Sequence, residues 1–265
     1  MTVERSKCMN HSIRIRPLYL LYVLALFLVI GSLYFILIIG TDWGRIGSPE
    51  VLWANILRFF PPNLSSIVEL GWPTLDTLII AVFSTLLTAI ICLPVIWLSS
   101  RNVTPHKLAY ILGRVIIITS RSIHEIIWGL FFVIAVGLGP LPGILALSLR
   151  GIGFVAKVVS EEVEAIDPKP VEAIRTTGAN PLKVILFAIV PQILPVFIGT
   201  LIFQWDVNLR RAAIIGVVGA GGLGLAFQQA MIQYKWRDAT AILLVLTFLV
   251  IVGEVISRKT REKII

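Results

Sequence analysis

Long apolar runs separated by short charged segments set the pattern of this chain. The first covers residues 17–41 without a charged side chain, and about 20 residues at a rise of ~1.5 Å are enough to cross roughly 30 Å of hydrocarbon. Further runs cover about residues 77–100, 110–138, 141–159, 182–205 and 239–256, so the pattern predicts six membrane-spanning helices. A cleavable leader has an apolar region of about 7 to 15 residues ending in a small-x-small site. The first run is longer and finishes Ile38-Ile39-Gly40-Thr41-Asp42, which predicts an uncleaved span.

The segments between the runs carry their own signals. Within the external loop 41–75, the Pro-flanked piece 49–60, with Trp53 and Phe59 on an apolar face and Pro61-Pro62 after it, predicts a short helix lying along the outer interface. Between spans four and five, Asp167 can cap a helix that accepts Pro168 in its first turn, and Gly178 can close it in the left-handed conformation. Asn180-Pro181 then opens the next helix. A helix of about ten residues is too short to stand alone, so it must pack on its own protein or on a partner, and Val171 and Ile174 give it an apolar edge. Residues 212–232 are uncharged but hold the cluster Gly219-Ala220-Gly221-Gly222-Leu223-Gly224. A seventh span there would strand the basic tail outside, so 210–232 is predicted to be bent or re-entrant, buried in protein or lining a cavity.

Composition sharpens this reading. Charged residues make up 14% and hydrophobic residues 57% of 265, with a mean hydropathy of +0.92, values of a membrane protein rather than of a soluble or disordered chain. The net charge of +8 does not point to nucleic acid, because the basic residues sit in short segments between apolar runs. They read as topology signals: Arg5, Lys7, Arg14 and Arg16 precede span one, and Arg258, Lys259, Arg261 and Lys263 follow span six. Arg101, Lys107, Lys157, Lys169, Arg175 and Lys183 fall on the same side, which places both termini in the cytoplasm. The chain thus divides into a basic tail 1–16, a first span 17–40, the external loop 41–75, a core 76–257 and a tail 258–265.

Several chemistries are missing from the residues. Cys8 and Cys92 have no reason to pair, His11, His106 and His124 are scattered, and neither a phosphate loop nor a metal motif occurs. No cytoplasmic segment is long enough to fold a nucleotide-binding domain, so any ATP must be hydrolysed by another chain. The glycine cluster fits G-x-G-x-x-G and follows the strand-like stretch Ile214-Ile215-Gly216-Val217-Val218. A dinucleotide site also needs a soluble βαβ unit and an acidic residue about 20 positions on, and the nearby candidate, Asp238, sits at the mouth of the last span. A membrane enzyme is therefore not expected.

Glu172-Ala173, Gly178 and Pro191, at spacings of six and thirteen after the glutamate and the glycine, resemble the E-A-A-x-x-x-G loop of bacterial ABC importer permeases. Ile174, Ala188 and Val190 depart from the usual Ala, Ile and Leu. The resemblance implies an all-α membrane protein of about six transmembrane helices with a type I, MetI-like fold. It makes 167–178 the cytoplasmic coupling helix, in which Glu172, Ala173 and Gly178 meet the ATPase. Pro191, lacking an N–H, would loosen span five, and Pro195 would do so again.

The stretches 121–132, 136–143 and 210–224 further resemble the phosphonate-importer permeases, with His124 standing where proline is expected. That likeness implies import of phosphonate, phosphite or a related phosphorus oxyanion across the bacterial inner membrane. It also implies a second permease copy in a homodimer, two ATPase subunits that carry the ATP and Mg, and a periplasmic or lipid-anchored binding protein. No cofactor is expected on the permease itself. Methionine or another amino acid is the alternative cargo, and an ion-gradient transporter is the rival class.

Arg114, Arg121, Glu125 and Arg150 fall within spans three and four, where an ionised side chain costs at least about 2.5 to 3.5 kcal/mol on insertion scales. Arg121 and Glu125, four apart, are placed to neutralise each other on one helical face, and Arg114 is placed to snorkel. Arg150 has no acidic residue within helical reach, so its partner is either Glu125 of the neighbouring span or a passing oxyanion held bidentately. With Arg210 and Arg211 at the mouth of the segment holding Gly219, Gly221 and Gly222, these side chains are the candidate substrate path; tight packing through small residues is the competing role for the glycines.

Overall fold

The computed structural model describes residues 5–41, 44, 47–104 and 106–264, the side chains at 5–18 and 264 excepted. The side chains of Arg5, Lys7, Cys8, His11, Arg14 and Arg16, and all of Asp42 and Arg45, lie outside the described residues.

Residues 1–57 and 58–265 form two compact units. The first holds α1 (Arg5–Tyr34), which continues for one π-turn (Phe35–Ile39), and α2 (Pro49–Leu57). Helix α1 begins at Arg5 and passes residue 17 without a break, so the sequence boundary there is not a boundary of the backbone. Tyr19, Leu20, Tyr22 and Phe27 are exposed on it, as expected for a helix whose surroundings are apolar.

The second unit is a helical bundle. It contains α3 (Gly71–Ser99), α4 (Lys107–Ser122), α5 (Glu125–Val136), α6 (Pro140–Ala165), α7 (Pro168–Thr176), α8 (Pro181–Val184), α9 (Val190–Ile215), α10 (Gly222–Ile232) and α11 (Trp236–Ile264), and no strand occurs among the described residues. Among the described residues, five helical stretches are long and apolar enough to cross a membrane, six when the bent pair α4 and α5 counts as one span. Helices α3 and α6 pack closely through small side chains: Ser148 Oγ donates to Ser84 O at 3.1 Å and Thr88 Oγ1 to Ser148 O at 3.2 Å. Hydroxyls that bond neighbouring carbonyls let the two backbones approach without leaving a polar atom in an apolar core. Ile134, Phe131, Phe187 and Phe248 remain exposed on the outside, an apolar belt suited to lipid.

Two spans differ from their predicted outlines. The run 110–138 is not a single helix, because Ile123 and His124 adopt extended backbone and α5 turns 91° from α4. His124 Nδ1 accepts from Ile126 N–H at 3.3 Å, so the residue standing at the family's proline position caps α5. Arg121 and Glu125 consequently do not share a helical face, and the neutralisation of one by the other does not occur.

Span five also extends beyond its predicted end at 205, since α9 continues to Ile215 and a π-turn covers Gly216–Ala220. The chain then breaks at Gly221, where φ is +83°, and α10 follows with 11 residues, about 16 Å long and too short to cross. It folds back on α9, so that a Cβ on Gly216 would meet Gly224 Cα at 2.8 Å. Segment 210–232 is thus bent at its glycines.

Candidate functional site

Two regions gather the residues singled out above. The first is α7. Asp167 caps it by accepting from Lys169 N–H at 3.0 Å, and Gly178, at φ +75°, reverses the chain before Asn180 caps α8 by accepting from Leu182 N–H at 2.9 Å. No heavy atom lies within 4 Å of where a Gly178 Cβ would point, so the conformation, not space, requires glycine. Val171 is buried and Ile174 half-buried against a core shared by α3, α4, α6 and α9, whereas Glu172 and Ala173 are exposed on the opposite side. The apolar edge anchors the helix to its own bundle and presents the polar edge outward.

A residue that sequence reasoning missed fastens α7 to the span after it. Gln192 Oε1 accepts from Asp167 N–H at 3.2 Å while Gln192 Nε2 donates to Ala188 O at 2.8 Å. Its neighbour Pro191 follows a π-turn over Ile185–Ile189, where the helical ladder is already widened. The tie therefore joins the start of α7 to an irregular stretch of span five.

The second region lies where α5, α6 and α9 meet. Glu125, whose side chain is 6% exposed, receives Arg211 Nε at 3.2 Å, Arg150 Nε at 3.5 Å and His124 Nε2 at 3.7 Å. Between the two partners left open for Arg150, the structure brings in Glu125. The contact is ionic without hydrogen-bond alignment, and Arg150 Nε is buried with no acceptor. Two guanidinium charges share one carboxylate, leaving the cluster short of negative charge. Arg210 is held instead by Asp206, at 2.7 Å. Arg114 donates to Glu164, near the end of α6, at 3.1 Å, and Arg121 has no carboxylate in ion-pair reach among the described residues. Outside the spans, the Arg101 guanidinium titrates above its ordinary value because its Nε donates to Tyr110 Oη at 3.0 Å.

Gly219, Gly221 and Gly222 have φ values of +101°, +83° and +68° and lie against Leu138, Pro140 and Thr77, at the opposite end of α5 from Glu125. Gly219 O accepts from Gly139 N–H at 3.2 Å, and Leu223 N–H is bound by Thr77 Oγ1 at 2.9 Å. The glycine turn is thereby tied to α3 and to the start of α6.

A buried polar network was also missed. Gln204 Nε2 donates to Asn208 Oδ1 at 2.8 Å, and Asn208 Nδ2 donates to Ser84 Oγ at 3.0 Å and Thr85 Oγ1 at 3.1 Å. Its signal in the sequence is the spacing of Gln204 and Asn208, four apart, which an apolar run ending at residue 205 divides.

A bundle of apolar helices with a charged cluster between three of them, and a short helix carried at one end, defines a multi-pass membrane transport protein. The chain belongs to the family of binding-protein-dependent transport system inner membrane components, whose model matches residues 81–258. It is 37% identical over 202 residues to the phosphite transport system permease protein PtxC of Stutzerimonas stutzeri, covering 76% of this chain and 74% of that one. To the phosphate-import permease protein PhnE of Mycolicibacterium smegmatis it is 36% identical, covering 77% of this chain and 38% of that longer one. A solved inward-facing MetNI methionine ABC transporter matches with a TM-score of 0.61 and 26% identity, over 72% of this chain and 93% of that one.

Proposed function

We propose that this chain is the permease subunit of an ATP-driven importer that moves phosphite, phosphonate or a related phosphorus oxyanion into the cell by alternating access. Two copies form the pathway, each docking one ATPase through Glu172, Ala173 and Gly178, and a binding protein outside hands over the cargo. ATP and Mg belong to the ATPase, and both termini face the cytoplasm. The observation that carries the cargo class is the pair Arg150 and Arg211, brought from separate spans onto the single carboxylate of Glu125. An oxyanion passing the cluster gives Arg150 Nε the hydrogen-bond acceptor it lacks and shares the two guanidinium charges with Glu125, at little desolvation cost because the charges are already inside. The names of the phosphite and phosphate permeases with similar sequences support the same class.

Closure of the ATPase pair moves α7, and Gln192 and the irregular start of α9 carry that movement into span five. The competing cargo is methionine or another amino acid, supported by the likeness to the methionine transporter. Uptake by cells expressing the permease with its ATPase and binding protein, challenged with phosphite, phosphonates and methionine, separates the two. Competition by the phosphorus compounds alone is expected; competition by methionine alone overturns the reading. Arg150→Gln and Arg211→Gln should each lower uptake while the ATPase still copurifies, and unchanged uptake would remove these arginines from the path.

A further inference from the structure

A cavity between α4 and α6 concentrates positive charge in a way the cluster at Glu125 does not explain. Arg114 and Arg121 are seven apart on α4, and Arg150 and Lys157 are seven apart on α6, so each pair lies about two turns apart on one helical face. All four line one cavity of about 440 Å³, with Ser122 beside them and no acidic side chain in its lining. The volume lies within the range of roughly 300–1,000 Å³ typical of ligand sites.

The carboxylates that answer these cations stand outside the lining. Glu164 takes Arg114 at 3.1 Å, Glu161 takes Lys157 at 2.8 Å and Glu125 takes Arg150 at 3.5 Å. Glu125 is further shared with Arg211, and Arg121 has no carboxylate in reach among the described residues. Arg150 Nε is buried without an acceptor. The cavity therefore gathers four cations, among them the guanidinium of the exposed Arg121 with no carboxylate in reach among the described residues, and has room for a small anion. A close approach of the two helices fixes this arrangement, since a Cβ on Gly153 of α6 would meet Arg121 Cγ at 2.7 Å and Ile117 O at 3.0 Å. Guanidinium forks favour tetrahedral oxyanions, which they bind through paired N–H···O bonds.

We propose that this cavity binds a phosphorus oxyanion, either the free ion or the phosphate of an anionic lipid, with Arg121 as the cation that the anion neutralises and Arg150, Arg114 and Lys157 as the walls. The choice of phosphorus among anions rests on the function proposed above.

The test uses the purified permease with its ATPase in nanodiscs. Inorganic phosphate and phosphite are titrated in zwitterionic phosphatidylcholine discs, and retention of phosphatidylglycerol is measured separately in discs that contain it. Binding of the free ion that Arg121→Gln weakens about tenfold and Arg121→Lys weakens less supports the site with the ion as occupant. Phosphatidylglycerol retention lost in Arg121→Gln supports it with the lipid as occupant. If Arg121→Gln, copurifying normally with the ATPase, changes neither measurement, the proposal is overturned. Wild-type cells that take up no phosphorus compound would instead sink the function proposed above, a result independent of the two titrations.

Discussion

At Glu125 the balance of charge is decided by single atoms. A carboxylate left inside a bundle is costly unless it is paired, and here it is paired twice over, by Arg150 and Arg211. Replacing it as Glu125→Gln leaves two guanidinium groups facing each other and is expected to cost about 3 kcal/mol, read as a lower unfolding temperature of the solubilised complex. Adding Arg211→Gln should restore part of that loss, and an additive double variant would show that the two side chains are not coupled. Asn208 offers a neutral counterpart. Asn208→Leu leaves Gln204 Nε2 without its acceptor and removes the donor to Ser84 Oγ and Thr85 Oγ1, whose own O–H groups stay bonded to Ala81 O, and is expected to cost roughly 0.6–1.7 kcal/mol, the range of hydrogen bonds between membrane helices. The arginines were visible in the sequence as charges inside apolar runs, but their partner was not. The break at Ile123 and His124 moved Glu125 from the face of Arg121 to the meeting point of three helices.

Helix α7 shows the opposite balance, because nearly everything about it is local. Its cap, its proline start and its glycine stop follow from backbone chemistry, which acts over a few residues and is therefore legible in sequence. Gly178→Ala forces a Cβ into the left-handed region at about 1–2 kcal/mol and should reduce copurification of the ATPase; full recovery of the ATPase would remove Gly178 from the docking helix. Gln192→Ala keeps α7 but removes its tie to span five. Normal ATPase binding with reduced uptake is expected of it, and unchanged uptake would show that the movement travels by another route. Gln192 was hidden in the sequence because a polar residue beside Pro191 acquires meaning only when Asp167 is brought to it across 25 positions.

Across the whole chain, the orientation rests on the Lys and Arg bias of the connecting segments. A reporter fused after residue 265 should be active only in its cytoplasmic form, and periplasmic activity would invert every side assigned above. Isolation through a permease tag is expected to return two permeases and two ATPases, a ratio that a heterodimeric pathway would break. What the sequence determined alone was the number of apolar runs, the bent glycine segment and the outline of α7, since hydrocarbon thickness and backbone capping are read within one stretch of chain. Tertiary structure decided which charges meet. Ion pairs between Glu125, Arg150 and Arg211, and the cationic cavity between α4 and α6, depend on helix crossings and on a 91° break. Packing sets such crossings among residues far apart in the chain, which no local pattern encodes.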